Sequence, residues 1–155
     1  IMATVYSVQK TKYNQNVPSE KVKANELGGR MRVAYAQYEA SSLASGDDIE
    51  MFILPDGARI LHGYLAHDAL GSSTTLSVGH GAYKNADGTS VAKDVDEFYA
   101  AAASTSAQKV DVVNTLALGS GIEVDADGDG YNVTVTMGGA AGTGSIELTM
   151  FYVVD

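Results

Sequence analysis

The run Asp125-Ala126-Asp127-Gly128-Asp129-Gly130 sets three carboxylates at alternate positions ahead of a glycine that can turn sharply. That spacing is how the first half of a calcium loop converges oxygen ligands on a hard cation. The second half departs from the pattern. Its twelfth position is Thr136 rather than a glutamate, and an apolar alternation opens at Tyr131, where a helix should develop. The run therefore reads as an acidic hairpin turn, because Asp-Gly steps are strong turn formers. Asp125, Asp127 and Asp129 remain only a candidate cation set, and no metal or cofactor is expected.

The other chemistry-bearing residues are equally sparse. His62, His67 and His80 are the three histidines, and their spacing fits no metal motif. His62 and His67 fall on one predicted strand but, five residues apart, point to opposite faces and cannot share an ion. His67-Asp68 lies among many serines, yet no G-x-S-x-G elbow is present to present a nucleophile. There is no cysteine, which removes disulfides, thiolate metal sites and a thiol nucleophile. Asn132-Val133-Thr134 matches a glycosylation acceptor formally, but it sits within a predicted strand. The glycines of Gly119-Ser120-Gly121 and of residues 138–144 open no helix and precede no G-K-[ST], so they are hairpin connections and not phosphate loops. No catalytic constellation survives, and an enzyme is not expected.

The elements that would position these residues are mainly strands. Met31, Val33 and Tyr35 alternate, as do Ile49, Met51 and Ile53, and Pro55-Asp56-Gly57 supplies the next turn. The run RILHGYLAHDAL is apolar on both faces, which predicts a central strand or one at an interface. Over Thr74 to Tyr83, Leu76, Val78 and Ala82 share one face while Thr75, Ser77 and Gly79 take the other. A turn at Asn85-Ala86-Asp87-Gly88 follows. Val95, Phe98, Tyr99 and Ala102 fall at i, i+3, i+4, i+7 and predict one short helix, with Asp94 as its cap and Glu97 as capping-box partner. Tyr131, Val133, Val135 and Met137 alternate again. After the GGAAGTG loop, the apolar ending SIELTMFYVV predicts a strand central in its sheet or buried against a partner. About eight antiparallel strands and one connecting helix, at this spacing, predict an all-β sandwich or jelly roll.

Charge divides the 155 residues unevenly. Lys10, Lys12, Lys21, Lys23 and Arg30 oppose only Glu20 and Glu26 in residues 1–30, a local +3, which leaves −12 of the total −9 for the rest. An acidic body repels phosphate backbones, so nucleic acid is not an expected partner. Residues 1–29 are polar, carry Pro18, keep no long period and end at Gly28-Gly29, so they predict an extended basic arm before a body at 30–155. Lys10, Lys12, Lys21, Lys23 and Arg30 are the candidate partner-binding residues, suited to an acidic protein surface such as a second copy of the chain. The first residues lack the apolar run of a signal peptide, and nowhere do 18 apolar residues follow one another, so neither ordinary secretion nor membrane spanning is expected.

From Arg30 onward the chain resembles small virion structural proteins of tailed bacteriophages, those encoded among the capsid genes of marine and cyanobacterial podovirus-like phages. The likeness rests on the strand after the arm, the "LPDGARI" turn, "DALGSSTTLSVG", the predicted helix around "DEFYAAAAS" and the "VTVTMGGAAGTGSIELTMFYVVD" ending. These are turn and strand patterns and carry no chemical signature. The resemblance implies a capsid decoration (cement) protein on the outer capsid surface of the virion, made in the host bacterial cytoplasm. It further implies a homotrimer that braces the shell across junctions of the major capsid protein, with no catalytic residues. An alternative is a virion-surface jelly-roll module that binds host glycan or receptor through loops near Asp87 and Asp127. A tail-associated structural role is a further one.

Overall fold

The computed structural model describes residues 4–115 and 118–154. Eleven strands occur among them: β1 (Met31–Leu43), β2 (Asp48–Leu54), β3 (Arg59–His67), β4 (Thr75–His80), β5 (Tyr83–Lys84), β6 (Ser90–Val91), β7 (Asp94–Ala103), β8 (Gln108–Val112), β9 (Ile122–Glu123), β10 (Tyr131–Gly138) and β11 (Gly142–Val153). Eight are long enough to build sheets. One sheet runs β1-β11-β3-β8, with β9 also paired to β3, and the other runs β2-β10-β4-β7. All pairs are antiparallel.

This order is a jelly roll. The first long strand pairs with the last (β1–β11) and the second with the last but one (β2–β10). The third pair is β3–β8 and the fourth β4–β7. The chain is thus one long hairpin of four strand pairs rolled up, and the β11–β3 and β10–β4 pairings close it into two facing sheets. The faces turned inward carry Leu54, Ile60, Leu65, Leu76, Val78, Phe98, Val133, Val135, Ile146, Leu148 and Met150, all fully buried in one cluster. β3 and β11, the two strands apolar on both faces, are central in their sheet, as their composition predicts.

Two expectations are corrected. The short helix predicted from Asp94 to Ala102 is strand β7. Its register against β4 pairs Leu76 with Ala102, Val78 with Tyr99 and His80 with Asp94. β7 therefore advances three residues, then five, for every two of its partner. Bulges of this kind return side chains to one face at irregular steps, and here they imitate a helical period. The Asp94 carboxylate caps no helix; it accepts the Asp96 amide at 3.2 Å in a local turn.

The second correction concerns the arm, which is not extended throughout. Val8–Tyr13 forms α1, whose N-cap Ser7 accepts the Lys10 amide, and Pro18–Glu20 makes a single 3-10 turn. Six residues sustain no periodicity signal, and one capping hydroxyl suffices for a single turn. Residues 1–3 of the arm lie outside the described residues.

Candidate interaction surfaces

The Asp125–Gly130 run is built into a turn. The Asp125 carboxylate accepts the Ala86 amide at 3.1 Å, and the Asp127 carboxylate accepts the Asp129 amide at 3.0 Å. The Asp127 amide in turn donates to the Lys84 carbonyl at 2.8 Å. Asp125, Asp127 and Asp129 do not converge, and no cluster of three His, Asp or Glu able to hold a metal occurs among the described residues. These bonds lay the run against the β5–β6 hairpin. Between them lies a shallow groove of about 340 Å³, lined by Tyr83, Lys84, Ser90, Asp127, Asp129 and Asn132 among others.

The histidines are structural in position. His67 and His80 are buried, and each sets Nδ1 2.8 Å from the carbonyl oxygen of the following residue, so that nitrogen carries the proton. The Asp68 carboxylate accepts the Ser145 amide at 3.0 Å instead of orienting His67. His80 packs against the rings of Tyr83 and Tyr131 at 5.3 and 5.0 Å. Burial, more than the nearby carboxylates, pushes both phenols up, Tyr131 far above the ordinary tyrosine range. His62 faces the other way, outside the β1-β11-β3-β8 sheet, as the five-residue spacing requires.

The basic arm residues separate into two places. Lys10 sits 4.9 Å over the Tyr13 ring, and Lys21 donates to the Tyr13 carbonyl at 3.3 Å. Lys23 pairs with Glu123 on β9 at 3.1 Å, an exposed contact. Lys12 lies on α1, and Arg30 is exposed just before β1. The five therefore form no single basic patch.

The root of the arm is also held through its backbone. Arg59, at the start of β3, donates through Nη1 to the Asn25 carbonyl at 2.9 Å and through Nε to the Ser120 carbonyl at 2.7 Å. Nothing in the sequence singles Arg59 out, since its partners are backbone carbonyls 34 and 61 residues away.

Apolar exposure is concentrated in the same part of the chain. The large exposed hydrophobics are Val5, Tyr6, Val8, Tyr13, Val17 and Leu27 in the arm, Met31, Val33, Tyr35 and Tyr38 on β1, and Ile53 on β2. In β1 the small residues Ala34 and Ala40 share the inner face with Tyr38, while Met31, Val33 and Tyr35 face out. Val33 and Tyr35 are 59% and 58% exposed. Register then brings Phe151 beside Val33 and His62 beside Phe151; in the next row Thr149 links Tyr35 to Tyr64. The result is an aromatic ridge on the outer face of the sheet. The Tyr35 hydroxyl donates to Glu147 at 3.0 Å, which pushes its own ionisation up.

No protein-family profile matches the chain, and no curated protein sequence matches it. Solved structures do. A chain of the capsid of Ralstonia phage GP4 is 24% identical, with a TM-score of 0.61 over 82% of this chain and 86% of that one. A chain of the cyanophage Pam1 capsid asymmetric unit is 18% identical, with a TM-score of 0.63 over 99% of this chain and 100% of that one. A chain of the acid-stable capsid of Helicobacter pylori bacteriophage KHP30 is 14% identical, with a TM-score of 0.53 over 80% and 87%. At these identities the likeness is one of fold.

Proposed function

We propose that the chain is a non-enzymatic structural protein of a bacteriophage particle, acting as a head decoration or cement protein. The observation that carries this reading is the end-to-end match, arm included, to a chain of a phage capsid asymmetric unit. In this reading the jelly-roll body trimerises and sits on the outer surface of the shell, across junctions between copies of the major capsid protein. The arm, with Lys10, Lys12, Lys21, Lys23 and Arg30, ties each copy to its neighbours. A tethered arm raises the effective concentration of the body at its site without enlarging the fold. The acidic body keeps free copies apart before docking.

The test is removal of residues 1–29. The remaining body is expected to stay folded, because neither its sheets nor its buried cluster draws on arm residues. It should fail to bind and protect phage heads against heat or chelation. Protection equal to that of the full chain would refute the role of the arm. Sedimentation of the full chain reads its mass, expected to be three copies.

One observation favours a second reading. The fold brings the Asp87 hairpin and the Asp125–Gly130 turn together around a groove that holds Tyr83 and Asn132. A virion-surface module for host glycan would use this groove. A glycan array probed with and without chelator decides it, and a blank result in both removes it.

A further inference from the structure

We propose that the outer face of the β1-β11-β3-β8 sheet is the seat for the N-terminal arm of a second copy of this chain. The inference rests on the arm being an exchange element, and it names the surface that receives it.

The seat is graded along its strands. Val33, Phe151 and His62 make an apolar row at one end, and Tyr35 and Tyr64 the next row. Glu147 follows, and Glu39 two residues further along β1. At about 3.3 Å per residue, the path from Val33 to Glu39 is about 20 Å. The arm carries the same gradient in the opposite chemical sense. Val5 and Tyr6 are 87% and 61% exposed, Val8 opens α1, and Lys12 falls on the same helix face as Val8 one turn later. From Val5 to Lys12 is about 17 Å, with the first residues extended and the rest helical. Apolar residues thus meet Val33 and Phe151 when Lys12 reaches the two glutamates.

The arm that fills the seat belongs to another copy. Within one chain α1 is held beside its own root: Lys21 donates to the Tyr13 carbonyl, and Gln9 to Glu26 at 3.5 Å. Among the described residues, Val5 and Tyr6 of the arm and Val33 and Tyr35 of the seat remain exposed there. Released from the root at Asn25, residues 4–22 span roughly 50 Å with α1 kept helical, against a body radius of gyration of about 14 Å. A neighbour is within reach. A sugar is a poor occupant, because ring faces are already used: His62 stacks on Phe151 at 4.7 Å and 18°, and Lys109 Nζ lies 4.4 Å over the Tyr64 ring.

The chain has no cysteine, so engineered cysteines report without background. Full-length Val8→Cys/Val33→Cys is oxidised at high protein concentration beside a control, Val8→Cys/Glu50→Cys, whose second site lies on the opposite sheet. The expected result is disulfide-linked dimers and higher species in the first variant and not in the control. Linked monomers, or no excess over the control, would overturn the proposal. Adding Glu147→Lys to the first pair should cut the intermolecular yield about threefold to tenfold, and adding Lys12→Glu as well should restore it. Yields indifferent to both charges also overturn it. Head protection is measured separately. Loss of the crosslink with protection intact removes the seat alone, while a crosslink without protection keeps the seat and removes the capsid reading.

Discussion

Replacing Arg59 by alanine should free the root of the arm while leaving the body folded. The guanidinium holds two carbonyls, Asn25 at 2.9 Å and Ser120 at 2.7 Å, and the contact to Asn25 is half-buried. Hydrogen bonds from a charged donor contribute roughly 1.5–3 kcal/mol each, less where water competes, so about 2 kcal/mol of local stability at the root is assigned to the pair. That corresponds to about thirtyfold in an opening equilibrium. The neighbouring ion pair between Lys23 and Glu123 has side chains 63% and 49% exposed and is assigned well under 1 kcal/mol. The readout is hydrogen exchange at the Glu26 and Leu27 amides, both bonded to the Lys23 carbonyl. Arg59→Ala should speed their exchange by about thirtyfold, and trypsin should cut faster at Lys21 and Lys23. Glu123→Gln should change either by less than about fivefold. Equal effects of the two substitutions, or none from Arg59→Ala, would refute the assignment of the root to Arg59.

Three further outcomes follow from the packing. Burial pushes the Asp48 carboxyl up, but donation from Lys93 and Thr136, both at 2.8 Å, and the lysine charge together pull it below the ordinary aspartate range. A lowered folded-state value stabilises above the unfolded one. Asp48→Asn should therefore cost about 1 kcal/mol at neutral pH, and in urea titrations the difference from the parent should fade as pH drops below about 4. Gly79→Ala should cost at least about 2 kcal/mol, because a Cβ there runs into the backbone of Asp94 and Val95; a normal urea midpoint would contradict the bulged register of β7. Phe98→Ala, which empties a fully buried position between the sheets, should cost about 3–5 kcal/mol in the same assay.

The strands were legible where their neighbours are regular. Tyr131 to Met137 alternates and forms β10, and the Pro55-Asp56-Gly57 and Asn85–Gly88 turns lie where their residue types put them. β7 was not legible, since its bulges are defined only by the partner strand that it fails to match residue for residue. Gly79, grouped by alternation with Thr75 and Ser77 on the face opposite Leu76 and Val78, is covered by that same bulge, and Ser77 is buried too. The acidic turn was readable from Asp-Gly chemistry, but the groove beside it was not, because its far wall comes from β5 and β6, about forty residues earlier in the chain.

Local chemistry determined a good deal by itself: strand periods, turn residues, and the split of charge between +3 in residues 1–30 and −12 in the rest. All of these depend on residues within a few positions of one another. Tertiary structure alone decided which face of β1 meets water, since Met31, Val33 and Tyr35 alternate as a core face would. They face outward because pairing with β11 turns the alternate face, with Ala34 and Ala40, toward the buried cluster. It also decided that Arg59 holds the arm, and that Phe151, Tyr64 and His62 join Val33 and Tyr35 in one ridge. Register between strands about 85 to 118 residues apart creates that surface, and no local pattern encodes such a pairing.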